Sequence, residues 1–213
     1  VPGALRNLLQ MTAEKYGFDY ILVDMSPNIS ATNANILMES DFFIVPCAPD
    51  YFCYMAIDSL TKVFPRWDRV YSQIKENDVF KSAEYKMNSG KPQFIGTIQQ
   101  RYRPRNSSLV KAFSEWIDDI NMLVQNKLVP VLKKCNMIVP YDSCNYDETY
   151  NLINIADFNS LIAQSQSNNT PVFLLTQEQV QKSGSVWGNM KKNIEDFNQA
   201  FDCLANRVIN ATK

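Results

Sequence analysis

The 213-residue sequence contains no histidine and no long apolar run. The lack of histidine excludes Ser-His-Asp and Cys-His nucleophile systems and the usual histidine-containing zinc hydrolase sites. Any chemistry must then come from carboxylates, Lys or Arg, hydroxyls and a bound metal. No apolar run approaches the ~20 residues that cross a bilayer, and no segment resembles a signal peptide. We therefore expect a cytoplasmic protein that does not act in a membrane.

The sequence also lacks an excess of charge of either sign and a patterned set of cysteines. Its 21 Lys and Arg against 22 Asp and Glu give a net charge of -1, so no global attraction to nucleic acid or anionic lipid is expected. The five cysteines form no CxxC pair, which argues against a disulfide framework or a zinc site. Reduced, buried thiols are the expected state.

What is present fits an ordinary globular chain. The length and the 46% hydrophobic content suit a single α/β domain over residues 1–213, with a loop-rich insertion at 141–170. The alternation of predicted strands and helices indicates a three-layer fold, with a mostly parallel sheet and helices on both faces.

Two apolar segments are the most informative part of the sequence. Tyr20–Pro27 and Phe42–Phe52 both read as buried strands, and the first carries Asp24 directly after four apolar or aromatic residues. In parallel α/β sheets, ligands bind at the carboxyl ends of the strands. A hydrophobic strand that ends in Asp is also how P-loop NTPases hold nucleotide-bound magnesium.

Other elements are predicted from apolar spacing and from capping residues. Asp50 is expected to cap a helix that runs to about residue 75 and is kinked or broken at Pro65. Thr176 and Gln179 form a predicted capping box. The remaining predictions are helices at 4–16, 31–39, 155–164, from Ser107 onward and through the stripe 190–208, and strands at 92–98, 136–140 and 171–175.

With these elements placed, the chain resembles the ParA/MinD-type partition ATPases, a deviant-Walker branch of the P-loop fold. The first motif is Tyr20-Ile-Leu-Val-Asp24-Met-Ser-Pro27. The second is Val45-Pro46-Cys-Ala-Pro49-Asp50-Tyr51-Phe52, after which a helix begins. The resemblance is specific over about residues 5–65 and looser beyond, where Phe94-Ile-Gly-Thr-Ile98 and Ile138-Val-Pro140 carry it.

The resemblance implies ATP and Mg²⁺ as cofactors of the intact protein. Asp24 would accept a hydrogen bond from a magnesium-bound water. Gln100 (or its neighbour Gln99), Pro140 and Tyr141 lie where the family binds the adenine base. A plainer interpretation is that Asp24 caps the following turn with Ser26 and Asn28, and that the other residues are ordinary loop positions.

The resemblance further implies a homodimer in the ATP state, an activating or cargo adaptor of the ParB kind, and a protein associated with the nucleoid. The densest basic cluster, which would contact DNA non-specifically, comprises Arg101, Arg103, Arg105 and Lys111. The alternative for this cluster is a solvated loop.

The sequence departs from the family pattern at its N-terminal side, because the lysine-rich phosphate loop and its strand do not precede Asp24. We therefore expect a chain truncated at the N-terminus, with an exposed sheet edge and no catalytic activity by itself. Two alternatives remain open. One is a degenerate, non-catalytic interaction or dimerisation module, and the other is a different α/β enzyme that uses carboxylates at the same edge.

Overall fold

The computed structural model of the protein describes residues 3–26, 28–102, 104–105, 108–109, 111–140 and 148–213. Its helices and strands, in chain order, are α1 Ala4–Tyr16, α2 Ala31–Glu39, β1 Phe42–Cys47, α3 Tyr51–Glu76, α4 Asp78–Lys81, β2 Gln93–Tyr102, β3 Pro104–Arg105, β4 Ser108–Leu109, α5 Lys111–Leu123, a π-helix Val124–Leu128, α6 Val129–Cys135, β5 Asn151–Ala156, α7 Leu161–Asn168, a 3-10 turn Val172–Leu174, α8 Gln177–Val180 and α9 Gly184–Ala211.

The main sheet has three strands in the order β1-β2-β5 and is flanked by helices, which confirms the predicted α/β class and is consistent with a P-loop NTPase-like fold. Strands β2 and β5 are parallel, with Thr97 opposite Asn151 and Gln100 opposite Ile155. A single parallel bridge joins Phe94 to Ile138. β3 and β4 form a separate antiparallel pair.

The chain divides into two compact units. The first comprises Val1–Phe43, Ala56–Phe94 and Val124–Val139, and the second comprises Ile44–Met55, Ile95–Leu123 and Pro140–Lys213. Whether they constitute the single predicted domain stays a prediction.

The core of the first unit is built on aromatic rings. Phe43 packs against Phe64 and Phe94 at centroid separations of 5.2 and 5.3 Å, and all three side chains are buried. Phe43 alternates with exposed Phe42 along β1, as expected of a strand. Burial of these rings stabilises the unit because each removes a large apolar area from water.

The core of the second unit lies beneath the long C-terminal helix. The apolar stripe predicted for α9 faces inward at Ile194 and Phe197, which pack against residues of β5, α7 and α8. The guanidinium of Arg207 donates to the backbone oxygen of Leu152, so this residue is tied to β5. The stripe is thus a core face.

Several predicted elements are confirmed. The helices at 4–16 and 31–39 have the predicted bounds. Asp50 Oδ1 accepts from the Cys53 N–H at 2.8 Å at the start of α3, as expected of a cap. Thr176 and Gln179 form the predicted capping box at α8.

Others are wrong. Residues 20–26, predicted as a strand, have no regular secondary structure, because a strand needs a neighbour that pairs with its backbone. Helix α3 continues through Pro65, so the predicted alternative of a break is wrong, while a kink at this residue stays a prediction. Residues 151–156 form β5, and the helix predicted from Ile155 begins at Leu161. The strand predicted at 171–175 is a short 3-10 turn. Ser107, the predicted cap of the helix that follows it, and Pro27 lie outside the described residues.

Candidate functional site

The Asp24 carboxylate is exposed, and no described residue is hydrogen-bonded to it. The apolar residues just before it are also exposed, most of all Leu22, with 89% of its surface accessible. Asp24 therefore does not cap the following turn. Its oxygens are available to solvent, as an outer ligand of a hydrated cation requires.

The turn that follows Asp24 is held by a network of side chains that does not include it. Asn28 Nδ2 donates to Ser26 Oγ at 2.8 Å, and the Ser30 N–H donates to Asn28 Oδ1 at 3.1 Å. Ser30 Oγ in turn accepts from the backbone N–H of Asn33 at 3.1 Å and caps α2. This network fixes the chain two residues beyond Asp24.

Asn33 is the residue that sequence reasoning missed. Its buried Nδ2 donates to the backbone oxygens of Ser26, at 2.6 Å, and Asn28, at 2.8 Å, and so fastens the turn to the first turn of α2. The sequence shows the spacing Ser30-x-x-Asn33, but it does not show that the Asn33 side chain contacts the backbone before the helix.

The turn between β1 and α3 is closely hydrogen-bonded in the second unit. The Ala48 N–H donates to Cys53 Sγ at 3.2 Å, and the Asp50 N–H donates to the Ala48 oxygen at 2.9 Å. Pro46 is exposed and Pro49 is buried, consistent with backbone-shaping roles. The turn thus has a defined conformation at the carboxyl end of β1.

The two cysteines of this turn are poor nucleophiles. Burial raises the pKa of the Cys47 thiol to about 12, with smaller contributions from Cys53 and Asp50. Burial also raises the pKa of Cys53, although the positive charge of Arg101 acts in the opposite direction. Neither thiol is therefore suited to covalent catalysis at neutral pH.

We expect alkylation to discriminate among the cysteines. At pH 8 roughly one Cys47 in ten thousand would be a thiolate, so iodoacetamide should modify exposed Cys203 well before Cys47 or buried Cys135. Peptide mass spectrometry after timed quenching measures the order. In urea the three rates should converge, and equal rates in the native protein would contradict the prediction.

The base-binding candidates lie in the second unit and are not brought together by any described contact. Gln99 is fully buried, and its Nε2 donates to Asn121 Oδ1 of α5 at 2.7 Å, so it supports the packing of that helix, while its buried Oε1 has no hydrogen-bond partner among the described residues. Gln100 is half-buried in β2 opposite Ile155, and Pro140 is exposed. Tyr141 lies outside the described residues.

The basic cluster is described only in part. Arg101 is exposed and has a positive φ of 67°, beside an irregularity in the pairing of β2 with β5. This backbone conformation is uncommon for a residue with a side chain. Arg103 lies outside the described residues, as do the side chains of Arg105 and Lys111.

The residues present fit magnesium only as a partial site. Within the described ranges, no group of three or more acidic or cysteine side chains could hold a metal ion. Mg²⁺ is commonly bound through one or two carboxylates together with water and substrate phosphates, and the exposed Asp24 carboxylate suits such a role.

None of the helices described in this chain is both long and apolar enough to span a bilayer.

Comparison with known proteins gives a class for this region. Residues 3–77, roughly a third of the chain, match the family described as an AAA domain, which indicates a P-loop NTPase-like domain. A 48-residue segment is 40% identical to an uncharacterized protein of Methanocaldococcus jannaschii, and spans 22% of this chain and 18% of that protein. No solved structure gives a significant match.

Proposed function

We propose that the chain is part of a ParA/MinD-type partition ATPase, a nucleotide-dependent switch in which Asp24 is the magnesium aspartate. The observation that carries the proposal is the match of residues 3–77 to an AAA domain, since this stretch contains the Tyr20–Pro27 motif with Asp24. The exposed carboxylate beside a hydrogen-bonded turn supports it. ATP and Mg²⁺ are the proposed cofactors.

In this proposal the chain supplies one part of the site. Asp24 accepts a hydrogen bond from a water on the metal, and the backbone two residues further on is anchored by Asn33. Magnesium neutralises the charge that develops on the phosphates. The phosphate cradle of backbone N–H groups would be encoded upstream of Val1, and without it the chain should not hydrolyse ATP.

The exposed apolar segment before Asp24 agrees with this assignment. Ile21, Leu22 and Val23 have 40%, 89% and 42% of their surface accessible, which is unusual for consecutive apolar residues in a folded chain. A neighbouring strand would pair with this backbone and cover these side chains. We propose that the strand leading into the phosphate loop has that role in the complete protein.

The ATP-driven homodimer, the ParB-like adaptor, nucleoid association and a DNA-contacting role for Arg101, Arg103, Arg105 and Lys111 belong to the same proposal. Of these residues, Arg101 is exposed on the surface of the second unit. Contacts of such residues with phosphates would weaken as salt is raised.

The test begins with the gene upstream of the Val1 codon in the same frame. A hydrophobic strand followed by a glycine-rich loop with Gly-Lys-Ser/Thr is expected. The protein extended by that segment should hydrolyse ATP in a magnesium-dependent way, and Asp24→Asn should lower the rate by about 100-fold. Asp19→Asn, which alters an exposed carboxylate of the same stretch, is the matched control.

An upstream frame without such a loop would contradict the assignment, as would full ATPase activity in Asp24→Asn. The second candidate, a non-catalytic interaction module, is favoured by the exposure of Tyr51 and Phe52, which are 56% and 81% accessible at the start of α3. Aromatic side chains of this kind are enriched in protein interfaces. A complete protein that lacks ATPase activity but binds a partner through this patch would favour the second candidate.

A further inference from the structure

The first unit contains a groove between α2 and α3 that neither the ATPase assignment nor the unit's core requires. Its volume is about 350 Å³, at the lower end of the range of ligand pockets. The residues that line it are mostly apolar, chiefly Ile29, Ala34, Met38, Val63, Trp67 and Ile74.

The rim of the groove leaves apolar surface in water. Ile29 is 63% exposed, and Val70, which also lines the groove, is 46% exposed. On the α2 side, Ala31 and Ala34 have small side chains, so the backbone of a bound segment could approach α2 closely. The groove therefore presents an apolar floor bounded by two helices, as in the mode of recognition in which a helix lies in a groove.

The charge around this groove is positive. Arg66 is the charged side chain among its described lining residues, and Lys62 and Arg69 lie about one turn away on α3. All three are exposed, and within the described part of the chain neither Arg66 nor Arg69 forms an ion pair. A partner with acidic side chains would gain a favourable electrostatic contribution to binding from these cations, and a partner without them would not.

Three carboxylates of the same helices are already engaged, and a further one, the exposed Glu76, lies at the C-terminal end of α3. Asp58 is paired with Lys127 at 2.9 Å, and Asp68 is paired with Lys91 at 2.6 Å. Glu39, at the end of α2, is buried and accepts hydrogen bonds from the side chain of Tyr71 and the backbone of Asn88. None of the three engaged groups is free to neutralise the cations beside the groove.

We propose that the α2–α3 groove binds an acidic amphipathic helix of a partner protein. Apolar side chains at positions i, i+3, i+4 and i+7 of that helix would enter the groove, and flanking Asp or Glu side chains would meet Arg66 and Arg69. The nine residues of α2 span about 13 Å, so two to three turns of the bound helix are in contact.

The test uses three synthetic peptides of equal length and identical apolar content. The first is an amphipathic helix with Glu on its polar face, the second has the same composition in scrambled order, and the third carries Lys in place of Glu. Since Trp67 lines the groove, its fluorescence reports occupancy, and Trp67→Phe identifies its share among the three tryptophans. Calorimetry gives the dissociation constants.

The acidic amphipathic peptide is expected to bind with a dissociation constant on the order of 10–100 μM, more weakly in high salt. Arg66→Glu and Ile29→Asp should each weaken it by about tenfold. Both residues are exposed, so neither change should unfold the unit, and circular dichroism checks this. Lys192→Glu, a charge reversal at an exposed position of α9, is the matched control and should bind as the parent does.

Four results would overturn the proposal. The scrambled or the basic peptide could bind as tightly as the acidic one, or Arg66→Glu and Ile29→Asp could leave the affinity unchanged. Alternatively, sedimentation could show that the protein self-associates and that Ile29→Asp abolishes the association, in which case a second copy occupies the groove. Absence of binding of the acidic peptide at millimolar concentration would also overturn it.

Discussion

Replacement of Gly96 by alanine is expected to destabilise the second unit by about 3 kcal/mol. Gly96 lies in β2 with a φ of +148°, and a Cβ atom there would lie 2.6 Å from the backbone oxygen of Tyr150 and 2.8 Å from Leu152 Cγ. The first of these atoms belongs to the backbone beside β5 and cannot rotate away. The added methyl group would therefore push β2 and β5 apart or force a strained backbone.

Urea denaturation measures this effect as a shift of the midpoint without a large change in slope. Gly188→Ala is the matched control, since Gly188 lies in the exposed part of α9 and nothing would contact its Cβ. That change should stabilise the helix by about 0.5–1 kcal/mol because alanine restricts the unfolded backbone. Similar midpoints for the two variants would show that β5 does not approach Gly96 as described.

Replacement of Glu39 by alanine is expected to cost the first unit about 3 kcal/mol. The buried carboxylate accepts from the hydroxyl of Tyr71 and, at 2.8 Å, from the backbone N–H of Asn88. Arg6 approaches the same corner, where it donates to the Glu39 backbone oxygen and pairs with Asp41. Alanine would leave two buried donors without an acceptor.

The conservative variant Glu39→Gln, which keeps an acceptor oxygen, should lose less stability than Glu39→Ala. Glu14→Ala, an exposed change on α1, should be nearly neutral. If Glu39→Ala were no more destabilised in urea than Glu14→Ala, the carboxylate would not be holding Tyr71 and Asn88.

The hydrogen bond between Tyr71 and Glu39 also predicts that the stability of the folded protein depends on pH in the alkaline range. Burial, and then the hydrogen bond to Glu39, raise the pKa of Tyr71 above its ordinary value of 10.0. The folded protein thus keeps a proton that the unfolded chain loses, so this contribution to stability is present below pH 10 and falls as the pH rises further. In Glu39→Ala the fall should be shallower, because the carboxylate no longer disfavours the tyrosinate.

The placement of Asp24 illustrates what the sequence could and could not predict about the site. The motif around it indicated a P-loop NTPase-like domain, and the match of residues 3–77 supports that class, but the strand predicted before Asp24 is not formed. Whether the run forms a strand depends on a neighbouring strand, and in the described chain residues 20–26 have none. The sequence also did not predict the role of Asn33, because this role depends on the hydrogen bond from its side chain to the backbone oxygen of Ser26.

Gln99 and Pro65 also show the difference between what the sequence predicts and what tertiary packing decides. Gln99 was expected just after a strand at 92–98, whereas β2 extends to Tyr102 and includes it, and its burial against Asn121 follows from the packing of α5. Pro65 was expected to kink or break α3, and the helix is not broken, because Phe64 and neighbouring side chains are anchored in the first core. Tertiary packing can outweigh the local cost of a proline.

The sequence by itself determined the α/β class, the caps at Asp50 and Thr176, the inward stripe of α9 and the absence of histidine chemistry. These features follow from local spacing and from the chemistry of single residues. The tertiary structure alone decided that β5 completes the described sheet, that Glu39 is buried beneath Tyr71, and that α2 and α3 enclose an apolar groove. Each of these depends on contacts between residues far apart in the chain, which no local pattern encodes.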